Sequence, residues 1–424
     1  MTENIFVLGL DEANHSLLSS LPGSQDYDFH QLLTFDELQG PSISVPDLLE
    51  KAQRQLDAFD GSVDAIVGYL DFPVSMMVPV LCDRYGLTSA DLESVVKCEH
   101  KYWSRLEQQK VIDEHPGFAL LDLNEEHTSL PPHVSFPAWI KPVVSHSSQG
   151  AHYMENEAEL QDALKQERTE VQKLGGPFDD ILAMLDLPQD VADSGGPACM
   201  VEEAALGEQF TVEGFSRNGR IEVYGVVDSI TYEDSPSFLR YQYPSKLPAE
   251  VRDYMVEVSR KVITAVGLTN STFNIEYFWD PETEKLRLLE VNARHSQSHA
   301  WLFEMVDGVS NHAAMLSLAL NRDPHHREDG GPYNCSAKWF LRHFSDGYIK
   351  RIPTPEEVAE VESSVPGTAI EIAVEEGTNL SDGGADGAFS FGLAQVFTSG
   401  DDEADLVDKY RRCIDTLKFE IEDR

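Results

Sequence analysis

Two stretches in the second half of the chain alternate apolar and polar positions with a period of two: Phe273-Asn274-Ile275-Glu276-Tyr277 and Leu288-Leu289-Glu290-Val291-Asn292-Ala293-Arg294. Joined through the turn-forming Asp280-Pro281-Glu282-Thr283, they predict an antiparallel hairpin. Alternation sends Glu276, Glu290 and Asn292 to one face, with Ile275, Leu289 and Val291 packed behind. Near the N-terminus the pattern changes to unbroken apolar runs at 5–10 and 65–69, each feeding a helix-period segment, 14–20 and 76–85. Strand–helix alternation of this kind predicts a Rossmann-like parallel sheet in an α/β chain. Gly9 alone makes no dinucleotide fingerprint, since G-x-G-x-x-G is absent.

The polar face of the hairpin carries chemistry. Hard divalent cations take oxygen ligands, and Mg²⁺ at phosphoryl-transfer sites is held by one or two carboxylates plus substrate phosphates. Glu276, Glu290 and Asn292 supply that set, and Arg294, on the same side, could grip a phosphate through its planar fork. The E-x-N-x-R pattern is short, and a solvent-facing strand edge with incidental charges accounts for it equally well. Upstream, Trp139-Ile140-Lys141-Pro142-Val143-Val144 reads as a strand bearing a lysine that enters the small polar loop Ser145-His146-Ser147-Ser148-Gln149-Gly150. Backbone N–H groups of such a loop can cradle phosphate oxygens while the lysine adds a point charge. No G-x-x-x-x-G-K-[ST] loop occurs. A helix opening near Lys97-Cys98-Glu99-His100-Lys101 carries a second lysine, and Cys199-Met200-Val201-Glu202-Glu203-Ala204-Ala205-Leu206-Gly207 reads as a strand running into a connector before the strand-like Phe210-Thr211-Val212.

This ordered set resembles the ATP-grasp superfamily from about Asp91 to the C-terminus. The resemblance implies an ATP-grasp fold with an N-terminal Rossmann-like domain and a C-terminal α+β lobe. It divides the chain into 1–95, the N-terminal domain; 96–208, a linker helix and small nucleotide-binding lobe; 209–330, the large lobe with the Mg²⁺ site; and 331–424, the C-terminal lobe. By the same resemblance Lys101 and Lys141 would hold nucleotide phosphates, and Ser147, Ser148 and Gly150 would belong to the loop closing over them. Glu202, beside Glu203, would accept from the adenine amino group while the backbone at Ala205 reads the ring edge. Gln209 stands where the family usually places an acid for the ribose hydroxyls. Glu276, Glu290 and Asn292 would bind Mg²⁺, with Mn²⁺ as an alternative, and Arg294 would stabilise an acyl phosphate and the tetrahedral intermediate.

The tail narrows the resemblance. Ala337-Lys338-Trp339-Phe340, Gly347-Tyr348-Ile349-Lys350-Arg351-Ile352-Pro353, Pro355-Glu356-Glu357-Val358 and Gly392-Leu393-Ala394-Gln395-Val396-Phe397-Thr398 are similar to the last lobe of L-amino-acid-ligase-like carboxylate–amine ligases. The implied activity is ATP-dependent joining of a small-molecule carboxylic acid to an amine or amino acid through an acyl phosphate, releasing ADP and phosphate. A carboxylating or formyl-transferring enzyme and a non-catalytic ATP-binding module are the alternatives. Two departures bear on substrate. His295-Ser296-Gln297-Ser298-His299 follows the arginine where glycines are common, which puts bulkier polar groups, Ser298 and His299 among them, where substrate should sit. Arg240 stands where such ligases often carry an acid for a substrate amine, which points to an acyl donor with an extra carboxylate or no free amine; pairing of Arg240 with nearby acids is the competing account.

Composition sets the surroundings. Asp and Glu number 74 against 32 Lys and Arg, a formal net charge of −42 that repels nucleic acid and anionic membranes. Spread from Asp11-Glu12 to Asp401-Asp402-Glu403, the acids suit a salt-tolerant surface, a halophilic source and a salt-dependent activity. Five cysteines without C-x-x-C spacing favour reduced thiols and a cytoplasmic setting, and neither a basic, apolar leader nor a membrane-length apolar run is present. A homodimer is compatible with all of this. The tract 167–196, bounded by Gly175-Gly176-Pro177 and Gly195-Gly196-Pro197, reads through its turn signals as an insertion in the small lobe. His325-His326 reads as a solvated loop in preference to a transition-metal site, and the glycine-rich 381–387 as either a turn near substrate or a solvated loop.

Overall fold

The computed structural model describes residues 2–40, 43–123, 129–145, 150–324, 330–383 and 390–423. Ser147, Ser148, His325, His326 and the 384–387 part of the glycine-rich loop lie outside the described residues. The N-terminal apolar runs form a parallel sheet in which Glu3–Leu8 lies between Tyr27–Leu32 and Ala65–Val67. Ile5, Val7 and Leu8 are fully buried, as a two-sided parallel strand requires. Helices Glu12–Ser20, Val45–Asp57 and Val74–Tyr85 follow the strands; Asp11 caps the first by accepting from the Asn14 N–H.

The helical segment expected near Lys97 is two helices, Leu92–Glu99 and Lys101–Gln108, meeting at His100. The His100 ring accepts from the Trp103 N–H and so starts the second helix, which puts Lys101 at its first turn. A four-stranded antiparallel sheet follows, in the order Phe118–Leu121, Cys199–Glu203, Ala138–Pro142, His152–Met154. Its cover is the 26-residue helix Glu157–Leu182, which runs through Gly175-Gly176-Pro177 without a turn. Gly175 is there for proximity: a Cβ on it would lie 2.3 Å from the Gly196 carbonyl oxygen. One residue past Pro177, Phe178 is fully buried against Phe72 of the N-terminal lobe. These glycines therefore mark a backbone contact between two segments, and the turn reading of 175–177 is corrected.

The remaining strands build one eight-stranded antiparallel sheet in the order Lys285–Asn292, Ser271–Asp280, Glu208–Arg217, Arg220–Thr231, Phe238–Tyr243, Cys335–His343, Phe391–Gly400, Thr368–Ile372. The predicted hairpin is at one edge. The C-terminal strands join the same sheet, since Arg240–Tyr243 pair directly with Trp339–Ser336. Helix Ala249–Val266 packs Met255, Val258, Val262 and Ile263 into the core beneath the hairpin side. Among the described residues no helix is long and apolar enough to cross a membrane.

Candidate functional site

The sheet, the small lobe and the N-terminal lobe enclose a cleft of about 1620 Å³. The hairpin forms one end of it. Glu276 faces Glu290 and Asn274 faces Asn292 across the two strands, which sets the two carboxyl groups side by side. The alternation is broken by a bulge opposite Glu276 and Tyr277, so Tyr277 pairs with Leu288 and Leu289 slips out of register. Leu288 is fully buried, while Leu289 is half-exposed and lines the cleft, correcting the expectation that Leu289 packs behind. Asn292 donates to the Asn274 side-chain oxygen at 2.9 Å, and Asn274 donates to the Arg294 carbonyl. Asn274 lines the cleft wall; the sequence reading passed over it.

Cations surround the pair. Lys101 Nζ donates to Glu290 Oε2 at 2.7 Å and to the Ser145 carbonyl at 3.0 Å. Glu276 accepts from Gln209 Nε2 at 2.8 Å, which places Gln209 on a metal-ligand candidate. Arg294 is clamped by Asp71, whose Oδ1 accepts from both Nε and Nη2, the former at 2.6 Å. Asp71 lies just past the strand Ala65–Val67 and its role was not foreseen; its one legible signal was its position at the carboxyl end of a parallel strand, where α/β sheets gather ligand groups.

The electrostatics follow. Burial and the neighbouring Glu290 charge push the Glu276 carboxyl up to about 7. Burial would raise Glu290 as well, but Lys101, with Lys141 and Arg294, more than offsets it and Glu290 lies below the usual range. Glu99, two residues before Lys101, is raised to about 8 by burial and by Asp71, against the pull of Arg294.

At the other side of Lys101, Glu202 is almost fully buried and already occupied. Arg105 Nη2 donates to its Oε2 at 2.8 Å and Lys141 Nζ lies 3.8 Å from its Oε1. Arg105 also donates to Gln108 Oε1 and to the Leu289 carbonyl, tying the helix, the small-lobe strand and the hairpin together. Burial pushes Glu202 up, yet Arg105 and Lys141 hold it below the usual carboxylate range. The lone-pair positions expected to meet an adenine amino group are thus shared with two cations. Glu203 likewise caps a loop, accepting from the Ser135 N–H and hydroxyl. Ala205, Phe210, Trp279 and Leu288 are apolar members of the same cleft lining that includes Lys101 and Lys141. Gly150 has φ +68° and packs against Pro142, away from the cleft lining.

Beyond Arg294 the structure separates the remaining candidates. His295 turns into the core, with Nε2 2.9 Å from His312 Nδ1 and His312 Nε2 2.9 Å from Asn14 Oδ1, whereas Ser296, Gln297, Ser298 and His299 line the cleft. His299 Nδ1 meets Glu213 Oε1 at 2.6 Å; the buried Glu213 also accepts from Tyr224, Asn311 and the Ser296 N–H. Arg240 is on the opposite face of its strand. It lies over the Trp339 ring and donates to Glu403 Oε1 and Gln242 Oε1, so it does not meet substrate in the cleft. The pair with Glu403 is the contact that the competing account, pairing with a nearby acid, expects. Among the described residues no cluster of three or more Asp, Glu, His or Cys could hold a metal by itself.

Residues 134–299 match the family model of the ATP-grasp domain. No curated protein matches the chain significantly. Solved structures similar to it include L-amino acid ligase from Bacillus licheniformis, with a TM-score of 0.73, 14% identity and coverage of 99% of this chain and 98% of that one. Phosphoribosylglycinamide synthetase from Anaerococcus prevotii has a TM-score of 0.64 at 14% identity, covering 99% and 100%. The biotin carboxylase domain of Hydrogenobacter thermophilus 2-oxoglutarate carboxylase, solved with MgADP, has a TM-score of 0.64 at 16% identity, covering 100% and 91%. Residues 134–299 thus match the ATP-grasp domain, and nearly the whole chain shares its fold with these structures.

Proposed function

We propose that the chain is an ATP-dependent carboxylate–amine ligase that makes an amide or peptide bond through an acyl phosphate and releases ADP and phosphate. The observation that carries this reading is the cross-strand pair Glu276 and Glu290 set between Lys101 and Arg294 in one cleft. The donor set suits Mg²⁺, with Mn²⁺ as an alternative. Two carboxylates, with the Asn292 amide beside them, make an incomplete oxygen shell of the kind that phosphate oxygens and water complete. When bound, the ion would neutralise charge on the phosphoryl oxygens.

The chain's own residues supply positioning and field. A carboxylate is a poor electrophile, and taking the γ-phosphoryl of ATP turns one of its oxygens into a leaving group. In-line transfer needs little covalent help from protein, so Lys101, Lys141 and Arg294 would act by orienting the phosphates and stabilising charge as it spreads. The apolar lining of Phe210, Trp279 and Leu288 would take the adenine ring, with the Ala205 backbone at its edge. Arg294, whose Nε and Nη2 are held by Asp71 and whose Nη1 is held by the His295 carbonyl, would offer the second N–H of each Nη to a phosphate or a tetrahedral oxyanion. The amine then attacks the acyl carbon and phosphate leaves. The higher structural likeness to the amino-acid ligase supports amide formation over carboxylation.

The test is a panel of carboxylates and amines with ATP and Mg²⁺, read by ADP release and by mass spectrometry of products. The expected result is ADP release that requires both an acid and an amine and is abolished in Glu290→Ala. Turnover that requires bicarbonate and ignores amines would overturn the reading.

A further inference from the structure

The cleft continues past Arg294 along the eight-stranded sheet. One row of its lining lies in direct register across four strands: Tyr241 opposite Lys338, Lys338 opposite Phe397, and Phe397 opposite Ala369. Phe238 and Phe340, from the strands of Tyr241 and Lys338, line the same stretch, as does Trp301 of the helix Ala300–Asp307. The rings hold one another: Tyr241 meets Phe340 edge to face with centres 5.1 Å apart and Phe238 at 5.2 Å, and Trp301 closes on Phe397 at 5.6 Å. Of the five, Phe397 is buried, and the other four are half-buried and keep ring surface turned to the cleft.

The charges in this stretch are engaged by the protein itself. Lys338 is 4% exposed; its Nζ donates to Ser298 Oγ at 3.3 Å and lies 5.5 and 5.4 Å from the Phe340 and Phe397 ring centres. Its charge also acts on the Glu371 carboxyl, which lines the same cleft. What the wall offers a ligand is therefore ring surface, fixed before anything binds. The row ends at the edge strand in Ala369, whose single methyl group stands where the other members carry long side chains. There is room to fill: about 1620 Å³ exceeds the roughly 300–1,000 Å³ that hold one ligand, so a nucleotide leaves space for a reactant with a large side chain.

We infer that this compartment receives the aromatic side chain of one reactant, with the five rings as its walls and Ala369 as the residue whose small size keeps it open. The assignment to a reactant rests on the ligase reading; the compartment itself does not. Two sources share this chemistry, an aromatic carboxylic acid as acyl donor and an aromatic amine or amino acid as nucleophile.

Calorimetry on the full chain with ADP and Mg²⁺ compares 3-phenylpropanoate with propanoate, and 2-phenylethylamine with ethylamine, without turnover. In the pair that matches the resident reactant, the aromatic member should bind at least about tenfold more tightly than the small one, and that pair names the source. Ala369→Phe fills the compartment without changing charge, and Phe340→Ala removes one wall; each should cut the preference at least about threefold. Unchanged ADP affinity shows that the variants are folded. No aromatic preference in either pair, no binding of any probe, or a preference that survives intact in Ala369→Phe would each overturn the inference. Aromatic-selective binding without ADP release from any acid and amine would leave the compartment standing and remove the ligase reading. ADP release from small acids and amines with no aromatic preference would do the reverse.

Discussion

Glu202 offers a sharp test because sequence and structure assign it different work: adenine recognition on one side, neutralisation of Arg105 and Lys141 on the other. Both partners of the Arg105–Glu202 pair are 2–3% exposed, so little solvent screening applies. Removing one member of a buried ion pair strands the other charge and costs about 3–5 kcal/mol. At about 2–4 °C per kcal/mol for a lobe of ordinary domain size, Glu202→Ala should lower the melting temperature by about 6–20 °C. Removing both charges, as in Arg105→Met/Glu202→Met, should recover part of that loss, because Lys141 alone is then left without its acid. Acid titration gives an independent reading. With its native pKa held below 4.5, Glu202 contributes stability above that pH and loses it as pH falls through the native value. The wild type should therefore lose an increment of stability below pH 4.5 that Glu202→Ala does not lose. Thermal melts and ATP titrations on the same samples decide the matter. A Glu202→Ala protein that melts within about 2 °C of wild type but no longer binds ATP would refute the electrostatic account and restore the adenine one.

Other expectations follow from the same geometry. Replacing Asp71 by Asn removes charge-assisted bonds of about 1.5–3 kcal/mol from Arg294, so kcat/KM for acid- and amine-dependent ADP release should fall about ten- to a hundredfold; undiminished turnover would show that the clamp is incidental. Because Glu276 titrates near 7 in the native state and at 4.5 otherwise, the unfolded chain gives up this proton first, and the site's drain on stability should grow as pH rises from about 4.5 to 7 and level off above. Glu276→Gln should flatten that slope in denaturant titrations, and Mg²⁺ binding by the wild type should release close to one proton at pH 6 and almost none at pH 8 in calorimetry with two buffers. Two adjacent glycines should behave oppositely. Gly175→Ala forces a backbone clash and should cost about 1–3 kcal/mol, while Gly176→Ala, with open space around it in a helix, should gain about 0.5–1 kcal/mol. Equal melting temperatures for the two variants would remove the close-approach explanation.

Local patterns carried much of this site into view. The hairpin was legible because alternation and a turn agreed over a dozen residues, and register then follows from which face is apolar. Lys101 and Lys141 could be named through the ordered resemblance to the ATP-grasp superfamily, whereas the break at His100 that starts the helix of Lys101 was not read. What stayed hidden depended on distant partners. The face that Arg240 presents is fixed by pairing with Trp339, about a hundred residues later, and no local period encodes that. The bulge that turns Leu289 into the cleft adds one residue to a strand without changing its composition. Gly175-Gly176-Pro177 misled because turn chemistry and close backbone approach call for the same small residues, and only the Gly196 carbonyl tells them apart. Asp71 was one acid among 74 until Arg294 was seen to lie against it.

The unbroken eight-stranded sheet has a mechanical consequence. Hydrogen-bonded strands hold their spacing at about 4.8 Å, so the hairpin at the edge and Lys338 five strands inward are fixed points on a single plate. A tilt of the four-stranded small sheet over this plate would leave the distance from Glu276 and Glu290 to Lys338 almost unchanged. The plate is then a ruler whose marks are side chains at fixed separations.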